Sequence, residues 1–193
     1  MSQIQPLEGF KTLEEFTQKL IDLKTIAQAD FENGKFREAS SQFLEILDHF
    51  QEFITSFQES GLLLSTNILQ IFREVHINLG LAQIKLQLFE NAIDVFTALL
   101  HYFPQDSKAL YLRGKSALVL KEYELAINDF RLAKIMDPHC ASLLEVYIKE
   151  AEASILNEKI EQGEPLLKKG SMEIRDTRDQ QVLYLQKSNL WSQ

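Results

Sequence analysis

Two segments of this chain repeat one another at a spacing of about 34 residues. Gly80, Ala92, Phe96 and Pro104 of the first segment recur as Gly114, Ala126, Phe130 and Pro138 of the second. A small residue lets two helices approach closely, an alanine suits their crossing point, and a proline ends the second helix. A repeat of this order and period predicts a stack of helix–turn–helix units.

A weaker third copy of the pattern lies upstream. Ala27, Ala39 and Phe43 keep the spacing of the later copies, and Gly34 interrupts the chain between two helices. Ala39 and Ala92 are separated by more than one repeat period but by less than two. Apolar residues continue at helical spacing through the extra positions, so we expect long helices there rather than a loop. Three repeats meet the usual minimum for a stack that buries a continuous core.

The composition narrows the class of protein. The chain has 193 residues, the size of one domain, and its 45% hydrophobic content with only four prolines favours an all-α fold. No apolar run reaches the ~18 residues that span a bilayer. The N-terminus lacks the layout of a secretory or mitochondrial signal, and a single cysteine suits a reducing compartment. We therefore expect a cytoplasmic protein, or one in a structure continuous with the cytosol, that is not secreted and not inserted in a membrane.

Little in the sequence points to catalysis or to a cofactor. The four histidines are scattered and none has a second ligand at metal spacing. His139 and Cys140 are adjacent, but neighbouring helical residues point about 100° apart, so they make a poor catalytic dyad. The glycines are isolated and form no phosphate loop. The formal charge of −8 disfavours nucleic acid as a partner, because phosphate binding needs a basic surface. These patterns predict a binding module with no catalytic residue, metal or cofactor.

The repeat order resembles the tetratricopeptide repeat (TPR) family. This resemblance implies an all-α, three-repeat superhelix with extended helices between repeats 1 and 2, a C-terminal capping helix and a tail. The expected boundaries are an N-terminal segment at 1–11, a TPR domain at 12–162 and a tail at 163–193. Within the domain we expect repeats at about 20–53, 73–106 and 107–140 and a capping helix at 140–161. The register predicts helix crossings at Ala39, Ala92 and Ala126, and buried rings at Phe43, Phe96 and Phe130.

A TPR stack binds through its concave face, which the first helix of each repeat lines. With the Gly or Ala counted as the eighth position of a repeat, the concave positions hold Lys24, Gln28, Asn78, Lys108 and Leu112. This set resembles the dicarboxylate clamp of cochaperone TPR domains, in which Lys, Asn and Arg side chains grip the C-terminal carboxylate and Asp side chain of heat-shock protein 70 or 90. Two lysines and amide donors suit a chain-terminal Asp, because charge-assisted hydrogen bonds are strong.

The departure from the clamp is Leu112, where the family has Arg. Losing a bidentate Arg costs roughly 1.5–3 kcal/mol, about ten- to a hundredfold in affinity. Lys115 shares the face of Lys108 and is the better candidate to compensate for the loss, whereas Arg113 points away by about 100°. Two readings of these residues stay open: a working clamp, or ordinary solvated lysines on a shared fold. Asn78 stands in an otherwise apolar stretch, with Ile77, Leu79, Leu81 and Ala82 around it, and must hydrogen-bond either a ligand or the stack itself.

Residues from about 12 to 160 resemble more closely the TPR domain of FKBP-type immunophilins and of aryl-hydrocarbon-receptor-interacting-protein-like cochaperones. The sharpest local match is Lys108-Ala109-Leu110-Tyr111-x-Arg113-Gly114. Only a short segment precedes the first repeat, so we do not expect prolyl isomerase activity.

Two functions are compatible with these patterns. The first is an adaptor that binds the acidic C-terminal tail of a chaperone, which Lys24, Asn78 and Lys108 favour. The second is a scaffold subunit whose TPR surface holds a fixed neighbour in a large assembly, which Leu112 favours. The tail carries enough apolar side chains to be buried, and we expect Leu183, Tyr184 and Trp191 to pack against the stack or a partner.

Overall fold

The computed structural model describes residues 13–58 and 66–162, and these residues are helical throughout apart from short turns. The seven α-helices in these ranges are α1 (Leu13–Glu32), α2 (Phe36–Gln58), α3 (Thr66–Lys85), α4 (Phe89–Tyr102), α5 (Ser107–Val119), α6 (Tyr123–Met136) and α7 (Ala141–Glu161). A 3₁₀ turn, Pro138–Cys140, precedes α7. No strand occurs in the described ranges, so the expected all-α fold with long helices α2 and α3 is confirmed.

The helices form two rows. Each helix packs against the next one along the chain, as expected for antiparallel neighbours joined by short turns. In addition α1 contacts α3, and α3 contacts α5, whereas the even-numbered helices of the described chain make no comparable contacts with one another. Helices α1, α3 and α5 therefore lie closer together and form the inner row of a curved stack.

A residue with a left-handed backbone ends the first helix of each repeat. Gly34 has a φ of 78°, Gln87 a φ of 60° and Lys121 a φ of 62°. Gln87 and Lys121 are one repeat period apart, so the repeat extends to the geometry of the turn. Only the first of the three positions is a glycine, the residue that adopts this conformation without a steric cost.

The glycine and phenylalanine of the repeat pack against each other. A Cβ atom added to Gly80 would lie 2.2 Å from the ring of Phe96, and one added to Gly114 would lie 2.7 Å from the ring of Phe130. Both rings are fully buried, and the ring of Phe130 also stacks on Tyr147 of α7 at 5.4 Å between centroids. The small residue of the pattern thus makes room for the aromatic ring of its own repeat.

The predicted core is confirmed at all six positions. The alanines and phenylalanines expected at helix crossings and in the core have no exposed surface; they are Ala39, Ala92, Ala126, Phe43, Phe96 and Phe130. Such complete burial of every repeated ring is what a stacked helical pair requires.

Helix α7 closes the C-terminal end of the stack. Leu144, Ile148 and Ala151 are buried, and the helix packs against α6. Its opposite side keeps large apolar side chains in solvent: Leu143, Val146, Leu156 and Ile160. The tail side chains Leu183, Tyr184 and Trp191 lie outside the described residues, as does the segment 1–11. Among the helices of the described ranges, none is both long and apolar enough to cross a membrane.

Candidate peptide-binding site

The five predicted site residues lie on three helices of the inner row. Lys24 and Gln28 belong to α1, Asn78 to α3, and Lys108 and Lys115 to α5. Gln28 and Lys108 are exposed, and the other three are half-buried. Within the described residues, no hydrogen bond joins two of the five to each other. Their convergence on a single ligand therefore remains a prediction.

Lys24 is paired with an acidic side chain of the same chain. Its ammonium group donates to Oε2 of Glu74 on α3 and forms an ion pair with that carboxylate. Gln70 donates to the other carboxylate oxygen, Oε1, at 2.7 Å. The hydrogen bond from Lys24 is the largest of the effects that hold the pKa of Glu74 below its ordinary value. Glu74 is therefore ionised at neutral pH and neutralises Lys24.

Gln28 and Lys115 also have partners within the chain. The amide of Gln28 donates to Glu32 at 3.1 Å, one turn along α1. The ammonium of Lys115 lies 4.5 Å from the ring centroid of Tyr147 on α7 and donates to its hydroxyl group at 3.3 Å. A cation above an aromatic face is held by about 0.5–1 kcal/mol at a partly exposed site. Lys115 is thus tied to the capping helix.

The residues that follow Lys108 on α5 are part of the core. Leu112 is buried, so an apolar side chain stands where the clamp resemblance implies an arginine. Arg113 donates two hydrogen bonds of 2.8 Å to the carboxylate of Asp129 on α6. It donates a third, of 3.0 Å, to the hydroxyl of Thr97. It points away from the predicted site, as expected, and cannot replace the missing arginine.

Lys108 and Asn78 are the members of the predicted set that have no partner among the described residues. Lys108 lies in the first turn of α5, two residues after the N-cap Asp106, which accepts from the backbone of Ala109 at 2.9 Å. Asp106 also forms an ion pair with Arg73. Asn78 is half-buried between the buried Ile77 and Leu79 of α3.

The charges near the site are mostly balanced. Three cations of α1, α3 and α5 are each paired with an acid: Lys24 with Glu74, Arg73 with Asp106, and Arg113 with Asp129. Lys108 has no such counter-ion in the described part of the chain. An anion that approaches this part of the inner row therefore meets the Lys108 ammonium with no acidic side chain paired to it.

Glu74 is the residue that the sequence reasoning missed. It stands one repeat period before Lys108 and so occupies the same position of its own repeat. The repeat register that predicts Lys108 on the concave face also predicts Glu74 there, but the clamp resemblance concerns basic and amide side chains and not an acid that opposes them. No group of three or more His, Cys, Asp or Glu side chains that could hold a metal ion occurs in the described ranges.

Comparison with known proteins agrees with this architecture. The tetratricopeptide repeat family matches residues 77–139. Human peptidyl-prolyl cis-trans isomerase FKBP4 is 30% identical over 102 residues, which are 52% of this chain and 21% of that protein. Peptidyl-prolyl cis-trans isomerase D of Eremothecium gossypii is 26% identical over 129 residues, which are 65% of this chain and 34% of that protein. The chain thus spans between about a fifth and a third of the length of these relatives.

Solved structures share the fold at low sequence identity. The C-terminal TPR-containing domain of a putative FK506-binding protein of Plasmodium falciparum has a TM-score of 0.64 and 19% identity, with coverage of 80% of this chain and 99% of that one. The first TPR of Spaghetti (RPAP3), bound to the HSP90 peptide SRMEEVD, has a TM-score of 0.58 and 17% identity, covering 72% and 95%. The TPR2B domain of yeast Sti1, in a complex with an Hsp70 peptide, has a TM-score of 0.56 and 15% identity, covering 71% and 98%.

A TPR domain is a protein-interaction fold, and domains of this fold hold short peptides in two of these structures. Residues 77–139 thus match the tetratricopeptide repeat family, and the chain resembles the TPR domains of FKBP-type immunophilins.

Proposed function

We propose that this chain is a non-catalytic adaptor whose inner row binds the acidic C-terminal tail of a heat-shock protein 70 or 90. The observation that carries the proposal is the pair of unengaged groups, the Lys108 ammonium and the Asn78 amide, on adjacent helices of that row. The peptides in the RPAP3 and Sti1 structures support the choice of ligand. A cytoplasmic location, where such tails are found, belongs to the same proposal.

The chemistry of the two groups matches a chain end. Lys108 supplies a charge-assisted hydrogen bond to a carboxylate, and Asn78 supplies a neutral donor beside it. Lys108 also lies in the first turn of α5, where the helix dipole disfavours a cation by a few tenths of a kcal/mol. An anion bound there would gain from both the lysine and the helix terminus. A lysine placed against the local helix electrostatics is expected at a binding site.

The affinity should be lower than that of a complete clamp. Leu112 offers no hydrogen bond, and replacing a charged donor by an apolar side chain removes roughly 1.5–3 kcal/mol of binding. Gln28 and Lys115 would have to break their hydrogen bonds to Glu32 and Tyr147 before they could bind a peptide. We therefore expect a dissociation constant in the micromolar range or weaker, with a strong dependence on salt.

Isothermal titration with a peptide ending in Glu-Glu-Val-Asp tests the proposal. Lys108→Ala should weaken binding at least about tenfold, because one charged hydrogen bond is lost. Lys19→Ala is the matched control: Lys19 is also an exposed lysine of the inner row, but it lies about 140° around α1 from Lys24. Equal loss in both variants, or no heat at millimolar peptide, would contradict the adaptor function.

A scaffold subunit is the second candidate, and the exposed apolar side of α7 favours it. Val146 and Ile160 are 60% and 54% exposed, and both lie opposite the buried face of the helix. Replacing both by Lys, a good helix former that suits the C-terminal turn of a helix, should leave the melting temperature unchanged and shorten retention on a hydrophobic-interaction column. A lowered melting temperature would show that this chain itself covers the two side chains, and it would count against a surface held for a partner.

A further inference from the structure

The ion pair between Lys24 and Glu74 bears directly on what the proposed site can bind. Lys24 lies on α1 and Glu74 on α3, so the pair bridges two helices of the inner row. The side chain of Lys24 is 19% exposed and that of Glu74 is 36% exposed. The pair is therefore at the surface of the row and within reach of a ligand.

Glu74 is held in place from more than one side. Gln70 donates to Oε1 and Lys24 to Oε2, so both carboxylate oxygens have a partner. The neighbouring cation Arg73 adds a favourable charge, although its own ion pair is with Asp106. These contacts keep the carboxylate ionised and beside Lys24 in the unliganded protein.

We infer that Glu74 acts as an internal substitute for a ligand carboxylate on Lys24, so that the resting site accepts one carboxylate, at Lys108, and not two. This inference rests on the proposed function. An intramolecular carboxylate is present at a high effective concentration and competes with any carboxylate that a peptide brings. The apparent affinity for a second carboxylate is then reduced by the fraction of molecules in which Lys24 is free.

The consequence is a change in specificity and not only in affinity. A chain-terminal Asp brings an α-carboxylate and a side-chain carboxylate. If one of them pairs with Lys108, the other finds Lys24 already paired with the ionised Glu74, and Leu112 offers it no charge. Like charges at close range oppose binding, and specificity of this kind comes from the repulsive group as much as from the attractive one. The wild-type chain should therefore gain little from the second carboxylate.

Two peptides, four proteins and one control variant test this inference by isothermal titration. The peptides end in Glu-Glu-Val-Asp and Glu-Glu-Val-Asn, which differ by one carboxylate. The proteins are the wild type, Glu74→Gln, Lys24→Ala and the double variant. Glu45→Gln, an exposed acid on α2 in the outer row, is the control for loss of one negative charge. Circular dichroism confirms that each variant is folded.

We expect the wild type to prefer the Asp peptide by less than about threefold. Lys24→Ala should show no larger preference and should bind both peptides no more tightly than the wild type, because Glu74 then lacks its counter-ion and repels an acidic ligand. Glu74→Gln should bind the Asp peptide about tenfold more tightly than the wild type does, and about tenfold more tightly than it binds the Asn peptide. The reason is that Lys24 becomes available for one charge-assisted hydrogen bond to the peptide. Adding Lys24→Ala should abolish that gain, and Glu45→Gln should bind as the wild type does.

Different outcomes overturn different claims. A wild type that already prefers the Asp peptide tenfold and loses the preference in Lys24→Ala would overturn the inference and leave the adaptor function intact. An equal gain in Glu74→Gln and Glu45→Gln would also overturn it, because the effect would then be one of net charge. No binding of either peptide by any of these proteins would overturn the adaptor function itself, and the inference with it.

Discussion

The ion pair between Arg113 and Asp129 gives the sharpest stability prediction. Both oxygens of Asp129 accept hydrogen bonds of 2.8 Å from the guanidinium of Arg113, and the side chains are 2% and 17% exposed. Burial raises the pKa of Asp129, and Arg113 opposes that rise. Arg113 therefore stabilises the ionised form of Asp129 in the buried site between α5 and α6.

Substitution of Arg113 by Met keeps most of the alkyl volume and removes the charge. An ionised carboxylate left alone in a buried site costs about 3–5 kcal/mol, so Arg113→Met should lose that much stability at pH 7. Adding Asp129→Leu should recover most of the loss, because exchanging both partners for apolar residues is often nearly neutral. Arg131→Met is the control: Arg131 also pairs with an acid, Glu152, but the two side chains are 42% and 31% exposed, and we expect a loss below about 1 kcal/mol.

The pH dependence separates this mechanism from simple loss of packing. Without Arg113 the folded-state pKa of Asp129 rises further above its unfolded value. Stability contributed by a group with a raised folded pKa is present below the unfolded pKa and is lost as pH rises through the folded pKa. The deficit of Arg113→Met should therefore shrink on acidification from pH 7 to pH 5, by at most about 1.4 kcal/mol per pH unit. Urea denaturation at both pH values measures it; a deficit that is small or independent of pH would refute the reasoning.

Two further predictions concern the core. Gly80→Ala places a Cβ atom 2.2 Å from the ring of Phe96, so it should cost about 1–3 kcal/mol in spite of the better helix propensity of alanine; urea denaturation measures the loss, and additivity with Phe96→Leu would contradict the clash. Burial lowers the pKa of His76, whose Nδ1 lies 2.9 Å from the carbonyl oxygen of Phe72. A depressed folded pKa gives stability that is present above the unfolded pKa of about 6.5 and lost as pH falls through the folded pKa. The wild type should therefore lose more stability than His76→Leu between pH 7 and pH 5. Thermal melts at both pH values measure this, and an equal loss in the two proteins would refute it.

Much of the fold could be predicted because the repeat period records contacts within each repeat. A glycine of the first helix and a phenylalanine of the second recur together, at Gly80 with Phe96 and at Gly114 with Phe130, and the structure places each pair in direct contact. Burial of a repeated aromatic follows from the same register. These features depend on one helical pair, and a single helical pair is what the repeat encodes.

The partners of Lys24 and Lys115 could not be predicted in the same way, because each lies on a different helix from the lysine. Lys115 was placed on the face of Lys108, but Tyr147, which holds it, lies on α7, where the chain lacks the Gly, Ala and Pro marks of a further repeat. The ion pair of Lys24 joins α1 to α3 across the irregular spacing between the first and second repeats. A pattern search for basic and amide side chains leaves such an acidic partner out.

The repeat register explains why one cation of the inner row is neutralised and another is not. Glu74 and Lys108 occupy the same position in consecutive repeats. For each of them, the candidate contact is the fifth position of the preceding repeat, counted with the Gly or Ala as the eighth. In the first repeat that position is Lys24, which pairs with Glu74; in the second it is Ile77, which is buried and carries no charge. Lys108 therefore has no counterpart to satisfy it within the described inner row. The charge of Lys108 is left unpaired because the two repeats differ at these positions: the second repeat has Ile77 where the first has Lys24.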